Sequence, residues 1–319
     1  MGNDDGVVDG HRVGGDRRAP AATTPATEAS AAEPGAEALR IVDLSDFVFD
    51  LARLGIAPVT YNYPAEVAVP LLDELALPPA LLDELRNPAT VVTGQGVYDV
   101  NLEALAALDP DLILVGSVFE GLFGDEVMAN VREVAEVVVI PDDLGWRERT
   151  LAIGEAVGRT DAAQELIAEA ERSLDELRAS FEASASPGAT VSVLWPLAPG
   201  QVAALVPPSI SSQAIEAVGL ARPAAQLVEQ PEGSPFPDSG AAIFLSEEVL
   251  GDHDADVFIV LTTAEGQESM IIDQPALSAS EAIAAGRVVT AAYPMWQLNT
   301  ATGVEQMAAD LARVQTLLG

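Results

Sequence analysis

Polar and apolar positions change rhythm within one short stretch, Asn101–Gly116, NLEALAALDPDLILVG. Leu102, Leu105 and Leu108 recur at helical spacing and give a short helix one apolar face. Asn101 suits the N-cap, where its side chain can accept from an early helical N–H. Asp109-Pro110 ends the helix, because a residue before proline is pushed out of the helical region. Leu112, Ile113, Leu114 and Val115 then form an unbroken apolar run, the pattern of a strand covered on both faces. A similar unit recurs at 245–262, LSEEVLGDHDADVFIVLT, with an acidic helix start, an Asp-rich turn and the apolar run Val257–Leu261. Glu103 and Glu247 occupy matching positions in the two copies. Two related units this far apart predict two lobes of similar design rather than a short-period solenoid.

The same rhythms place the other elements. Strands are predicted over 40–44, 58–62, 90–93 and 137–140, then over 190–195, 202–206 and 287–293. Ser45 or Asp46 is expected to cap a helix carrying Phe47, Leu51 and Leu54, with Gly55 ending it. Further helices are predicted around 71–77, 81–85, 125–135, 211–218 and 302–318. Strand and helix alternate throughout, which predicts mostly parallel sheets with helices on both faces. Between the two halves, Leu166, Ala170, Leu174, Leu177 and Phe181 form a single apolar stripe. Asp161 and Gln164 offer a capping box. The helical pattern extends over 147–182 with a weak point at Gly158, and a helix of 22 residues already spans about 33 Å. The predicted organisation is a disordered tether over 1–38, an α/β lobe over 39–146, a connecting helix over 147–184 and a second α/β lobe over 185–319. Residues 1–38 contain no Leu, Ile, Phe, Trp or Tyr and cannot build a core.

Composition narrows the chemistry. The chain of 319 residues carries a formal net charge of -35, and its 15 basic residues are all arginine. That balance repels a phosphate backbone, so no nucleic-acid partner is expected. Source bias, such as a high-GC or salt-adapted genome, is the expected cause of the acidity ahead of a functional reason. There is no cysteine, which removes disulfides and thiolate metal sites. The two histidines, His11 in the tail and His253 in a polar turn, leave acyl-transfer triads without a base. No metal centre and no resident cofactor are expected. No stretch approaches the ~18 uninterrupted apolar residues of a membrane helix.

The segment NLEALAALDPDLILVG resembles the "NLE…L.PDLI" signature of substrate-binding proteins of ABC importers for iron-siderophores, haem and cobalamin. The run GRVVTAAYPMWQLN (286–299) resembles that family's closing segment, and the resemblance extends from about Arg40 to the C-terminus. It implies two doubly wound, Rossmann-like lobes joined by a long rigid interlobe α-helix, with the ligand cleft between the lobes. A rigid link implies small closure on binding. It implies no catalysis, an ABC permease as partner and an iron(III)-siderophore as ligand, the iron belonging to the ligand. It also implies that Glu103 and Glu247, one on each lobe, dock the permease through its arginines. Both glutamates equally suit a helix start, where the dipole favours carboxylates. The opening Met1-Gly2-Asn3-Asp4-Asp5 resembles the start of a mature bacterial lipoprotein of the Gram-positive kind. An export signal removed or lying upstream, and an extracytoplasmic place on the outer face of the cytoplasmic membrane, are therefore expected, as is a monomer; a genuine cytoplasmic start is the competing reading.

Ligands of open parallel sheets bind beyond the carboxyl ends of the strands. That rule collects Tyr61, Tyr63, Gln95, Tyr98, Ser117 and Phe119 in the first lobe. In the second it collects Trp195, Thr262, Thr263, Glu265, Met295 and Trp296. Aromatics with a few polar groups suit a small-molecule cleft, so Tyr61, Tyr63, Gln95, Tyr98, Phe119, Trp195 and Trp296 are the candidate ligand-binding residues. Relatives that bind ferric hydroxamates place an Arg before the first helix–strand unit and a Tyr after its strand; here Val97 and Phe119 stand at those places. The predicted rim loops hold few arginines: Arg147 and Arg149 are the nearest, with Arg86 a weaker candidate. An acidic protein with a poorly basic cleft favours a neutral or cationic ligand of the ferrioxamine type. Haem, with Tyr98 as iron ligand, and cobalamin are alternatives within the family. An enzyme using Glu120 or Glu265 is the alternative outside it.

Overall fold

Two β-sheets, one before and one after a 23-residue helix in the chain, carry the fold. The computed structural model describes residues 39–88, 100–184, 186–232, 234 and 240–319. The expected strand at 90–93 and the candidate residues Gln95 and Tyr98 lie outside the described residues.

The first lobe runs β1 (Ile41–Asp43), α1 (Val48–Arg53), β2 (Thr60–Tyr61), α2 (Ala65–Glu74), α3 (Pro79–Leu85), α4 (Leu102–Ala107), β3 (Leu112–Gly116), α5 (Ser117–Phe123), α6 (Asp125–Arg132) and β4 (Glu136–Ile140). Its sheet has the order β2-β1-β3-β4, all parallel. Two helices follow, α7 (Trp146–Ala156) and α8 (Thr160–Glu182). The second lobe runs β5 (Val191–Ala198), β6 (Gln201–Leu205), α9 (Ile210–Ala217), β7 (Ala242–Leu245), a 3-10 segment Glu247–His253, β8 (Val257–Thr262), α10 (Ser269–Ile272), α11 (Glu281–Ala284), β9 (Val288–Ala292), α12 (Tyr293–Gln297) and α13 (Ala301–Leu318). Its sheet has the order β7-β6-β5-β8-β9.

The duplicated unit supplies equivalent strands. β3 lies between β1 and β4, and β8 lies between β5 and β9, each triplet parallel. The second lobe departs from an all-parallel sheet, since β6 pairs antiparallel with both β5 and β7. The second copy of the unit is also wound as a 3-10 segment where the first forms α4.

Local chemistry explains several boundaries. Asn101 accepts from the Ala104 N–H at 3.0 Å and caps α4. Asp109, before Pro110, takes φ +47, out of the right-handed helical region. The predicted connecting helix is broken between α7 and α8 at Gly158, whose φ of +67 suits glycine. The capping box at Asp161 does not form; Arg159 is the N-cap of α8 and no side chain caps it. Nor do Ser45 and Asp46 cap α1, whose N-cap is Phe47. The Ser45 N–H donates instead to Asp43 Oδ1 at 2.8 Å.

The α8 stripe predicted from the sequence is buried along its length, from Leu166 through Ala170, Leu174 and Leu177 to Phe181. It belongs to one apolar core that contains Ile41 and Leu114 of the first lobe and Val193, Ile259 and Val304 of the second. A helix of 23 residues spans about 35 Å, so α8 is a strut packed along that shared core. Helix α13 returns to the first lobe: the Ala301 N–H donates to Thr150 Oγ1 at 2.8 Å, and Asn299 Nδ2 donates to the Leu144 carbonyl at 2.7 Å. Arg53 on α1 bridges Glu169 on α8 and Glu305 on α13, at 3.1 and 2.8 Å. Residues Leu39–Gly319 thus form one compact unit.

Candidate functional site

All four strands of the first sheet point one way, so their carboxyl ends gather the loops after β1, β2, β3 and β4. The segment after β9 meets these loops. Met295 and Leu298 pack with Phe49, Tyr61 and Leu72 of the first lobe, and Asn299 holds the loop after β4. The candidate cleft lies where the two sets of carboxyl ends meet.

Its floor on the first lobe is built around Arg149, whose side chain is 5% exposed. Nη2 of Arg149 donates to Asp46 Oδ1 at 3.1 Å, and Nη1 lies 2.9 Å from Asp142 Oδ1. The guanidinium also lies over the Phe47 ring, 5.3 Å from its centroid. Asp142 in turn holds the start of α5: its Oδ2 accepts from the Val118 N–H at 2.7 Å and from Ser117 Oγ at 3.1 Å. Ser117 Oγ accepts from the Asp142 N–H at 3.0 Å, closing a reciprocal pair. A Cβ at Gly116 would stand 3.0 Å from Asp142 Oδ2, a tight contact that glycine avoids. Ser45 Oγ accepts from the Gly116 N–H at 2.7 Å, tying the loop after β1 to the end of β3. One arginine thus locks three cleft loops together while meeting two carboxyl groups.

Burial acts on the neighbouring acids. It pushes the Asp43 carboxyl up to about 8, against the Ser45 N–H that favours its charged form. It also raises Asp46, although the Arg149 charge opposes the shift. Asp50, facing the Thr302 and Thr300 hydroxyls at the start of α13, is pushed up to about 6 by burial. Tyr63 and Tyr293 are both raised by burial, and Tyr63 also feels the Asp46 charge and the Tyr293 hydroxyl. Tyr63, at the end of β2, and Tyr293, at the end of β9, therefore bring the two lobes into one electrostatic neighbourhood.

The candidate aromatics fall into two groups. Tyr63, Phe119 and Trp195 are half-buried. Trp195 stacks on Tyr293 with ring centroids 3.7 Å apart, and Tyr63 meets the edge of Phe49 at 5.5 Å. Phe119, on α5, lies 6.3 Å from Phe123 and packs against the outer core of the first lobe. Tyr61 and Trp296 are core residues instead. Tyr61 is 3% exposed and its hydroxyl donates to the Leu85 carbonyl at 2.9 Å. Trp296 has no exposed surface, and its indole N–H donates to Asp310 Oδ2 at 2.8 Å. Helix α12 follows β9 directly and carries Trp296 into the shared core. Tyr293, which the sequence reading did not single out, opens α12 three positions before Trp296. His253, expected in a polar turn, is buried at 3% exposure at the end of the 3-10 segment Glu247–His253.

Each arginine expected near the cleft already has an acidic partner. Arg147 pairs with Glu171 at 2.5 Å and lies over Trp146, Arg86 pairs with Asp73 and Asp83, and Arg149 is held as above. Glu120 pairs with Arg132, and Glu265 is exposed in the loop after β8, so these carboxylates belong to different lobes and form no pair. Among the described residues no group of three or more His, Cys, Asp or Glu could hold a metal ion. No helix among them is long and apolar enough to cross a membrane. Surface recesses of about 370 and 220 Å³ lie away from the cleft, one between α8 and α13 and one beside Arg53, Glu74 and Glu305.

Glu103 and Glu247 are both exposed. Glu103 stands in the first turn of α4, which runs toward the amino end of β3, where Arg40 Nε donates to the carbonyls of Leu108 and Asp109. Glu247 follows β7 and approaches the β5–β6 turn, 3.3 Å from where a Cβ on Gly200 would stand. Each therefore begins the segment that leads into the central strand of its parallel triplet, on the side of the carboxyl ends.

This arrangement, two parallel-cored α/β lobes on a rigid helical strut with a cleft between strand ends, defines a two-lobed binding protein. A family model described as "Periplasmic binding protein" matches residues 72–293, and the chain belongs to that family. The fold is shared with the siderophore periplasmic binding protein from the fuscachelin gene cluster of Thermobifida fusca, at 21% identity and TM-score 0.66 over 88% of this chain and 96% of that one. It is shared with FhuD from Vibrio cholerae, a siderophore-binding protein in its Fe3+–Desferal complex, at 19% identity and TM-score 0.68 over 89% and 100%. FhuD2 from Staphylococcus aureus with bound ferrioxamine B superposes at TM-score 0.65 with 18% identity over 88% and 100%. No curated protein matches the chain.

Proposed function

We propose that this protein is an extracytoplasmic receptor that captures a neutral or cationic ferric siderophore of the ferrioxamine type and delivers it to an ABC permease. The observation that carries the ligand class is the engagement of Arg149, Arg147 and Arg86 by carboxylates. An anionic chelate would enter a cleft whose floor holds Asp46 and Asp142 against one guanidinium, with no uncommitted arginine among these three to receive it. Desolvating an anion there without a partner is costly. A neutral hydroxamate chelate meets no such penalty, and a cationic one is attracted.

Support for the siderophore class comes from family membership and from the ligands named for similarly folded proteins. Glu103 and Glu247 are the proposed permease contacts, and a lipid anchor attached upstream is the proposed means of retention at the membrane. The haem reading depends on Tyr98, which lies outside the described residues, and no observation favours it. Competitive binding of ferrioxamine B against an anionic ferric tris-catecholate tests the reading. Preference for ferrioxamine B is expected; preference for the catecholate would overturn it.

A further inference from the structure

The second lobe buries an arginine that has no acid beside it. Arg222 is 7% exposed. Its Nη1 donates to Ser212 Oγ at 2.8 Å, in the first turn of α9. Its Nη2 donates to the Leu205 carbonyl at the end of β6 and to Gln226 Oε1. All three acceptors are neutral, and among the described residues no carboxylate pairs with this guanidinium. Its Nε is buried with no hydrogen-bond partner. Burial lowers the group to about 9, so it is a cation at neutral pH. A buried charge without a counter-charge is costly.

The helix start beside it is also short of acceptors. Ser209, the N-cap of α9, accepts from the Ser212 N–H at 3.3 Å. Its Oγ lies 2.9 Å from both Ser211 Oγ and Ser212 Oγ. Three hydroxyls carry three protons, and the two oxygen–oxygen contacts use two of them. One hydroxyl proton is left over whichever way the contacts are ordered. Gln226 Oε1 cannot take it, because it already accepts from the Val193 N–H and from Arg222. Ser209 and Ser211 have no exposed surface, so bulk water does not reach them.

A guanidinium, a spare N–H and a spare O–H at a helix N-terminus all lack the same thing, a negatively charged acceptor. Water would satisfy the two donors and leave the charge unmet. We propose that the second lobe holds a buried site for a small monatomic anion, chloride, formed by Arg222, Ser211, Ser212 and the N-terminus of α9. Gln226 joins this cluster to Ser192 at the amino end of β5, with Nε2 donating to Ser192 Oγ at 2.7 Å. The site therefore lies away from the carboxyl ends that face the cleft. Its role is to hold α9 against β5 and β6, and it does not depend on which ligand the cleft receives.

Two measurements on the full chain test it. The first is thermal unfolding at constant ionic strength, with sodium gluconate replaced stepwise by sodium chloride, so that general screening stays fixed. The Tm should rise and level off, by about 3 °C at tenfold excess over the dissociation constant. The second is anomalous diffraction from crystals soaked in sodium bromide, which should show a peak in contact with Arg222 Nε. A Tm insensitive to the exchange, or a map with bromide only at exposed side chains, would overturn the site. Arg222→Met removes the cation, and its Tm should not respond to chloride. A saturable response that survives in it would overturn the role of Arg222. Should that variant not fold, the bromide map of the unmodified chain decides alone.

Discussion

Trp195, within β5, and Tyr293, just after β9, lie face to face with ring centroids 3.7 Å apart. Trp195 is thus the half-buried tryptophan beside the cleft, whereas Trp296 is enclosed and bonded to Asp310. A ligand in the cleft should therefore be reported by Trp195 alone. Trp195→Phe should abolish most ligand-induced change in intrinsic fluorescence, and Trp296→Phe should leave it in place. Loss of the signal in Trp296→Phe would put the ligand elsewhere.

Arg149 is the central tie of the cleft loops. Replacing it by Met leaves Asp46 and Asp142 facing each other in a largely buried place, with neither partner remaining from that side chain. Breaking a buried ion pair by removing one member costs about 3–5 kcal/mol. Urea denaturation of Arg149→Met at neutral pH should show a loss of that size. A loss below about 1 kcal/mol, the scale of an exposed pair, would contradict the buried triad.

Stability should fall as pH rises from mildly acidic to mildly alkaline. Burial pushes Asp43 up to about 8 and Asp50 up to about 6 in the folded protein, while an unfolded Asp titrates near about 3.9. Between those values the folded state retains protons that the unfolded state has released. The penalty is absent below the unfolded value, grows through the window and is complete above the folded value. Asp43→Asn removes the larger part of it and can keep the bond from the Ser45 N–H. Its loss of stability between pH 5 and 8 should be clearly smaller than that of the unmodified protein. Parallel losses in both would show that Asp43 ionises without penalty.

Glu103 and Glu247 are both exposed. Reversing their charge, as Glu103→Arg and Glu247→Arg, should stop uptake of the ferric ligand by cells while its affinity for the isolated protein stays unchanged. Uptake that persisted in both variants would exclude them as docking points.

The sequence made the layered architecture readable because its signals are local. The apolar runs at Leu112–Val115 and Val257–Leu261 became equivalent central strands, Asn101 capped its helix, and Gly158 broke the connector where a positive φ was needed. Pairing direction was not readable in the same way. The run at 202–206 looks like any buried strand, and the turn at Gly200 sends it back antiparallel to β5. The cleft chemistry was the least readable part. Asp46 and Arg149 are 103 positions apart, and no spacing rule brings them together. Position after a strand does not fix the direction of a side chain: α12 leaves Tyr293 half-buried and encloses Trp296.

The central claim is that this cleft receives a ferric chelate bearing no net negative charge. Its most direct test is the quenching of intrinsic tryptophan fluorescence by ferrioxamine B and by an anionic ferric tris-catecholate, titrated side by side at physiological salt. Saturable quenching by ferrioxamine B, with no saturable response to the catecholate, is the predicted result. Saturable and tighter binding of the catecholate would contradict it.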